Sequence, residues 1–541
     1  MAVVQRLKAI GAGLLAGLVG TAVMVLLMTA GRFWLGISPP PEAIPDRFAP
    51  TLDIDTFFGL FGRFDGYNGL KKFGIRAGLT GLIAAGALVG LAYALVVENR
   101  RARRAGTTRF GLNRYGVRFV AITAAVLWVA TLAVLWPVLD ANYRGLPPSR
   151  ARLATGLWLL VTYAAYGVTL LATYRWITRR PAADAPATSI GAPVPRRAVV
   201  AAAGAALLAL PSFALLRRLY DDATFGYDGR PYSGPDIEPI TPIVPEDRFY
   251  SVTKNVVDPD VSTSFWRLQV DGLVDGPRLY SFDDLVAMPA TDQETTLMCI
   301  SNAIGSGLFS NALWRGVPMR DLLATARPRD GAVEVLMHAT DGYTDTIPFA
   351  KAMDPTTLVV YEMNGRPLPR RHGYPVRVVV PGWFGEKNMK WVTRLEVVDH
   401  DAKGFYEQQG WGPNFIHPTR SDIFAPRWRR GGGRDAFVEP FRLNQTATVR
   451  GRAFAGDRGV TKVEFSADDG QTWREARIDY PGTRLTWVFW SVEWRPPAPG
   501  EYRLLSRATD GTGTLQPPDE RGIVPQGATG YHRVVARVEG A

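Results

Sequence analysis

The chain of 541 residues contains one cysteine, Cys299. That excludes an intrachain disulfide framework, a CxxC redox pair, a cysteine-ligated iron–sulfur cluster and a Cys-rich zinc site, and leaves a single thiolate chemistry open. Histidine is nearly as scarce: His338, His372, His400, His417 and His532 are all there are, and residues 1–218 have none. Without a His pair that part cannot hold a bis-His haem of the usual kind, and no haem is expected in this chain. Acidic side chains are sparse in the same stretch, with 8 Asp+Glu against 25 Lys+Arg, whereas residues 219–541 carry 42 against 37. A nucleic-acid binder gathers its positive charge on a soluble basic face. Here the excess flanks apolar runs, so nucleic acid is rejected as a partner.

Those runs are Ile10 to Ala30, Ala77 to Val97, Phe119 to Leu139, Leu153 to Trp176 and Ala198 to Leu216. Each approaches the ~20 residues a bilayer-spanning helix needs, and none carries an internal Asp, Glu or Lys. Arg100, Arg101, Arg103, Arg104, Arg109 and Arg114 follow the second run and should stay in the cytoplasm. The same orientation puts inside Arg6 with Lys8, Arg175 with Arg179 and Arg180, and the pair Arg196-Arg197. The sequence therefore predicts a multi-pass protein of the cytoplasmic membrane, five helices in residues 1–218, with everything after Arg218 on the outer side. The first run could instead be a cleaved signal peptide, against which its length argues. Arg196-Arg197 also resembles a twin-arginine export signal, which would deliver the rest of the chain to the same side. Residues 181–195, rich in Pro and Ala, read as a cytoplasmic linker. Phe57, Phe58, Phe61, Phe64 and Tyr67 lie either at the outer interface or in a core on the solvent side.

From about Tyr220 short apolar runs are bounded by Gly, Asp and Pro: Trp266 to Val270, Val333 to Met337, Leu358 to Tyr361, Val376 to Val380. These are strand signals, with helical patterns at Phe282 to Met288 and Met319 to Ala326, so residues 219–434 read as an α+β domain with mixed sheets. Residues 435–541 read as a β-sandwich. Its strands are Ala447 to Phe454, Val460 to Ser466, Trp473 to Ile478, Thr486 to Trp494 and Tyr502 to Thr509, with a hairpin turn at Asp469-Gly470.

Six ordered motifs carry a resemblance. They are Cys299-Ile300-Ser301-Asn302, Trp314-Arg315-Gly316-Val317-Pro318, Asp341-Gly342-Tyr343, Tyr361-Glu362-Met363-Asn364-Gly365, His372-Gly373-Tyr374-Pro375-Val376-Arg377, and Pro381-Gly382 through Lys390-Trp391. Together they resemble the sulfite oxidase family of molybdopterin enzymes. Ser466 to Trp473 and Arg507-Ala508-Thr509-Asp510 resemble that family's immunoglobulin-like dimerisation domain. The resemblance covers roughly residues 235–541 and leaves the apolar part unexplained.

The resemblance implies molybdenum with molybdopterin as cofactor, and Cys299 as the thiolate ligand beside the pterin's sulfurs. A soft ligand suits such a redox metal. It implies pterin contacts from Tyr250, Ser251 and Asn255 early in the domain, from Asp341 and His372, from the Arg377 guanidinium fork, from Asn388 and Met389, and from the Lys390 point charge. A plain turn carboxylate is the other reading of Asp341, and a structural turn histidine that of His372. Lys254 stands where the family has an anion-binding arginine, and Trp411, in Gln408-Gln409-Gly410-Trp411, where it has a tyrosine beside the metal. Ala303-Ile304 replace further arginines. Arg315 and Arg320 could still turn a guanidinium inward.

The expected function is oxygen-atom transfer to or from a small oxo substrate, with sulfoxide-type reduction against sulfite oxidation left open. Electrons would pass to or from a separate protein or a quinone, and the sandwich would pair two copies. The alternative is an exported, non-catalytic binding or assembly protein that retains the fold.

Overall fold

The computed structural model describes residues 2–540 apart from 65–66, 102–113, 179–195, 222–239, 256 and 432–433. The expected linker at 181–195 and the arginines at 103, 104 and 109 lie outside the described residues.

Each of the five apolar runs forms a helix long and apolar enough to cross a membrane. They belong to α1 (Ala2–Ala30), α4 (Tyr67–Arg101), α5 (Arg114–Leu135), α6 (Pro148–Thr178) and α7 (Arg196–Asp221). Two short helices, α2 (Pro40–Phe48) and α3 (Ile54–Arg63), lie between α1 and α4. The first helix is built into the bundle, packing against α4, α6 and α7. Its small residues decide how closely: a Cβ on Gly17 would sit 2.3 Å from the Gly86 carbonyl oxygen, and one on Gly13 would sit 2.5 Å from that of Gly90. No side chain fits in that seam, so the two backbones touch, as small-residue helix interfaces permit.

The segment between α1 and α4 and residues 136–147 between α5 and α6 emerge at the same end of the bundle. Both pack on the C-terminal half. Asn142 N–H donates to the Thr340 carbonyl at 2.8 Å, Arg144 pairs with Asp260 at 2.6 Å, and Gln409 Nε2 donates to the Ala49 carbonyl at 3.0 Å.

The α+β part holds two sheets. The first runs in the order Arg278–Tyr280, Leu268–Gly272, Val392–Val398, Glu334–Ala339, Thr344–Pro348, with Leu268–Gly272 parallel to Val392–Val398. The second runs Thr291–Met298, Phe309–Pro318, Leu358–Met363, Arg366–Pro367, and Arg377–Val379 also pairs with Leu358–Met363. Fully buried Trp266, Leu395, Met337 and Val376 belong to the core they share. The expected helices appear as Phe282–Val286, held by a Ser281/Asp284 capping box, and Met319–Ala326.

The C-terminal part is two sheets face to face, four strands against seven, with Trp490, Val449, Val463 and Ala536 between them. Ala447–Phe454 and Val460–Ser466 form as read from the sequence. The run Trp473 to Ile478 does not stay in one sheet: Arg474–Glu475 pairs with Val460–Ser466, then Arg477–Tyr480 pairs with Val488–Trp494 on the other side. The chain changes sheets at buried Ala476. Asp469 and Gly470 take the positive φ values of 57° and 88° that a turn demands, within a loop that Asp468 holds by accepting from Ser466 Oγ and the Thr472 N–H. Arg420–Ala425, ahead of residue 435, pairs with Ala447–Phe454 and so shares a sheet with the sandwich.

Candidate functional site

Cys299 directly follows strand Thr291–Met298, where the chain turns back toward Phe309–Pro318. The turn is locked from inside. Cys299 N–H donates to the Leu308 carbonyl at 3.0 Å, Asn302 N–H donates to the Cys299 carbonyl at 3.0 Å, and Asn302 Oδ1 accepts from Leu308 N–H at 2.9 Å. Cys299 Sγ lies 3.0 Å from Ser301 Oγ and faces a cavity in the α+β part. Burial raises the thiol to about 11, with Glu386 adding to the shift; a metal would remove that proton outright.

The cavity brings together Tyr250, Ser251, Lys254, Cys299, Asp341, His372, Arg377, Asn388, Met389, Lys390 and Trp411, residues up to 161 positions apart. Asn255 stands behind the wall instead. Its Nδ2 donates to Asp341 Oδ2, and its Oδ1 accepts from Tyr143 of the N-terminal part at 3.3 Å. Asp341 begins a turn whose Gly342 has φ 74°, and its Oδ1 accepts from the Tyr343 N–H.

Residues 249–255 form an irregular segment fixed at its start by aromatic contacts. Phe249 lies 5.4 Å from the His372 ring and 5.6 Å from Trp314, and Tyr250 N–H donates to Ser310 Oγ. Gly385 makes room for Tyr250, because a Cβ there would lie 2.6 Å from the phenolic oxygen.

The basic side chains divide by their partners. Arg377 donates to the carbonyls of His372 at 3.2 Å and Asn388 at 2.9 Å, its guanidinium lies 5.0 Å over Trp314, and its Nε has no acceptor. Burial pulls it down to about 10. Lys390, lowered to about 8 by burial, donates to the Arg371 carbonyl at 3.1 Å. His372 Nε2 lies 2.8 Å from the Glu246 carbonyl, which can only accept, so that nitrogen carries the proton; burial lowers the ring to about 3 and keeps it neutral. Asn388 is saturated by the Val380 N–H and the carbonyls of Trp383 and Phe384, so its side chain builds the wall. Met389 offers its backbone to Val378. Trp411 packs 6.3 Å from Tyr406.

Arg315 and Arg320 do not turn inward. Arg315 pairs with Asp292 at 2.8 Å and Arg320 with Asp321 at 3.6 Å, both on the surface.

Several residues were not legible as site residues. Glu386, inside the last motif, lines the cavity, and among the described residues neither of its carboxylate oxygens has a hydrogen-bond partner. Burial, reinforced by Asp345, raises it to about 8. Asp46 of α2 lies 3.5 Å from Lys254 Nζ and 2.9 Å from Lys71 Nζ, while Lys71 donates to the Lys254 carbonyl at 3.1 Å and Lys254 to the Asp341 carbonyl at 2.9 Å. Burial alone would raise the Asp46 carboxyl; Lys254 and Lys71 outweigh it and hold it low. Phe57 of α3 lines the cavity and is 4% exposed. Of the aromatic cluster it is thus the member buried at the site. Phe64 packs on Phe73 at 4.8 Å, and the side chains of Phe58, Phe61 and Tyr67 lie outside the described residues.

Residues 255–406 match the family model of the oxidoreductase molybdopterin binding domain, and residues 433–539 that of the Mo-co oxidoreductase dimerisation domain. The chain is 31% identical over 324 residues to the mitochondrial sulfite oxidase of Mus musculus, covering 52% of this chain and 59% of that protein. To an NADH nitrate reductase of Volvox carteri it is 31% identical over 308 residues, 46% of this chain and 35% of that one. To the sulfite oxidase of Gallus gallus it is 30% identical over 346 residues, 54% of this chain and 72% of that protein. The chain belongs to the sulfite oxidase family of molybdopterin-dependent oxidoreductases. As a member of that family it spans 59% of the mouse protein and 64% of the Rattus norvegicus one, and both family models begin beyond α7.

The sulfite oxidase family's cofactor fits the groups present. Cys299 is a thiol on the cavity wall, and the buried Arg377 Nε lacks an acceptor, which costs ~1–3 kcal/mol that a pterin or phosphate oxygen would recover. Lys390 adds a second cation, and among the described residues no cluster of three His, Cys, Asp or Glu competes for a metal.

Proposed function

We propose that the chain is a membrane-anchored, molybdenum-cofactor-dependent oxidoreductase that transfers an oxygen atom to or from a small oxo substrate. Cys299 carries this reading, as the sole thiol of the chain and one that faces the cavity. When bound, the molybdenum cofactor supplies the two-electron oxygen-atom exchange. Around it Cys299 is the metal ligand, and Arg377 and Lys390 hold the anionic end of the pterin. His372, neutral and fixed by Glu246, and Tyr250 and Ser251 set the pterin's edge. Asp341 is oriented by Asn255 and the Tyr343 N–H, and accepts from amino groups. Asn388 supports the wall through its side chain and Met389 through its backbone.

Lys254 and Trp411 flank the substrate. The absence of arginines at Ala303 and Ile304, with Arg315 and Arg320 on the surface, supports a less charged oxo compound of the sulfoxide type over sulfite. The electron partner is a separate protein or a quinone. The match to a dimerisation domain supports a homodimer through the sandwich, which we read as immunoglobulin-like. The five helices, the arginine asymmetry and the two loops packed on the C-terminal half support placing that half on the outer side of the cytoplasmic membrane.

Metal analysis of full-length protein, expressed with ample cofactor supply, tests the reading. About one molybdenum per chain is expected. None would support the non-catalytic binding protein instead.

A further inference from the structure

The cavity wall is not made by the family domain alone. Lys254, the one cation at the position expected to hold a substrate anion, is 4% exposed, and its ammonium group is engaged on three sides: the Asp341 carbonyl at 2.9 Å, the Asp46 carboxylate at 3.5 Å and the Phe405 ring at 5.6 Å. Asp46 comes from α2, and Lys71, at the start of α4, grips its other oxygen at 2.9 Å. One turn into α3, Phe57 enters the cavity; its helix is started by Asp53, whose Oδ1 accepts from the Thr56 N–H, and is seated by Ile54 against the cluster that contains Trp411 and Phe384.

We propose that the segment between α1 and α4 completes the substrate pocket: Asp46 cancels the anion-binding capacity of Lys254, and Phe57 supplies an apolar wall. The pocket therefore selects an uncharged organic oxo compound bearing an apolar substituent over an inorganic oxoanion. A buried ammonium group already engaged by a carboxylate, here one shared with Lys71, offers an incoming dianion reduced attraction, and the dianion would feel the Asp46 charge behind it. Between charges that water does not screen, such a like-charge approach is costly. An uncharged substrate escapes this penalty, because its oxygen needs only a hydrogen-bond donor. Phe57, which lines the cavity together with Trp411 and Tyr406, turns the same pocket toward apolar substituents, whose transfer from water is favourable. Asp46 acts through Lys254 and is a positioning residue for charge selection; Phe57 would touch the substrate.

The inference rests on the oxidoreductase reading for its substrate class, but its test does not use turnover. Sulfate, a redox-inert dianion of the size of sulfite, is titrated calorimetrically into purified, cofactor-loaded, full-length protein in detergent. Wild type should bind it only in the range of ~10 mM or weaker. Asp46→Asn should tighten it about tenfold or more, and Asp46→Glu should restore the wild-type value, which a merely structural role for Asp46 would not produce. Should Asp46→Asn not fold, the charge-balanced double substitution Asp46→Asn with Lys71→Met carries the same expectation, since it also leaves Lys254 without its carboxylate. A folded Asp46→Asn variant, single or with Lys71→Met, that binds sulfate within twofold of wild type overturns the charge argument.

In equilibrium dialysis, Phe57→Ala should weaken methyl phenyl sulfoxide about tenfold and dimethyl sulfoxide less than threefold. Equal losses for the two overturn the apolar-wall argument. A protein that passes both tests without turning over any oxo compound would sink the oxidoreductase reading and leave this selectivity standing. An active enzyme that fails them would do the reverse.

Discussion

Arg377 lies with its guanidinium 5.0 Å over the Trp314 ring and gives its Nε to no acceptor. A buried cation in this arrangement is stable only at a cost, which an anionic cofactor group would offset. Arg377→Met should therefore raise the melting temperature of the cofactor-free protein by a few degrees, and should lower cofactor content after cofactor-replete expression at least tenfold. Scanning calorimetry and pterin fluorescence measure the two. A variant that keeps full cofactor would show that Arg377 does not hold it.

Cys299→Ser replaces a soft donor by a hard one while keeping the size of the side chain, so the locked turn around Asn302 should survive. Pterin content should stay near wild type and turnover should fall by at least ~100-fold, as losses of metal-tuning groups commonly do. Undiminished turnover would exclude Cys299 as the ligand.

Glu386 predicts a pH dependence of stability. Its carboxyl, pushed up to about 8 by burial, keeps its proton in the folded chain well above the ~4.3 at which an unfolded glutamate loses it. Between these values the folded state binds more protons than the unfolded one, so stability falls as pH rises from roughly 4 to 8 and levels off above. The slope contributed is at most ~1.4 kcal/mol per pH unit. Glu386→Gln removes that contribution and should flatten the melting temperature of the cofactor-free protein over this window. An unchanged profile would place the proton elsewhere.

Sulfite should be a poor substrate. With Ala303 and Ile304 in place of guanidinium groups, its Michaelis constant should exceed the ~1 μM to 1 mM range usual for cognate substrates, in steady-state assays with an artificial acceptor. Parallel assays with sulfoxides and a reduced dye give the comparison. Micromolar saturation by sulfite would overturn the substrate reading.

Compartment reporters fused after Leu216 and within residues 102–113 test the topology. Activity on the outer side is expected for the first and in the cytoplasm for the second. The opposite pattern would invert the orientation.

What the sequence made legible was whatever is written locally. A bilayer requires ~20 apolar residues in succession, so the five long helices stand out by composition. Ala447–Phe454 and Val460–Ser466 show their alternation within one segment, and Cys299, His372 and Arg377 sit in short motifs. Long-range packing leaves no such trace. Nothing near Asp46 announces Lys254, 208 positions later, and the neighbours of Phe57 in sequence suit an interface and a core equally, whereas the packing of α3 puts it on the cavity. The run Trp473 to Ile478 holds two consecutive exposed residues, Arg474 and Glu475, before buried Ala476, so its alternation breaks where the chain leaves one sheet for the other, and its apolar content alone does not show the switch.

The glycine seam between α1 and α4 reaches further than its own neighbourhood. Gly86 and Gly17 let two backbones touch, and the same α4 begins, roughly 22 Å away along its axis, with the turn that carries Lys71 to Asp46. A rigid rod transmits tilt. A wedge such as Gly17→Leu would lever α4 away from α1, swing its first turn off α2, and so change the charge balance behind Lys254 without altering a single residue that lines the cavity.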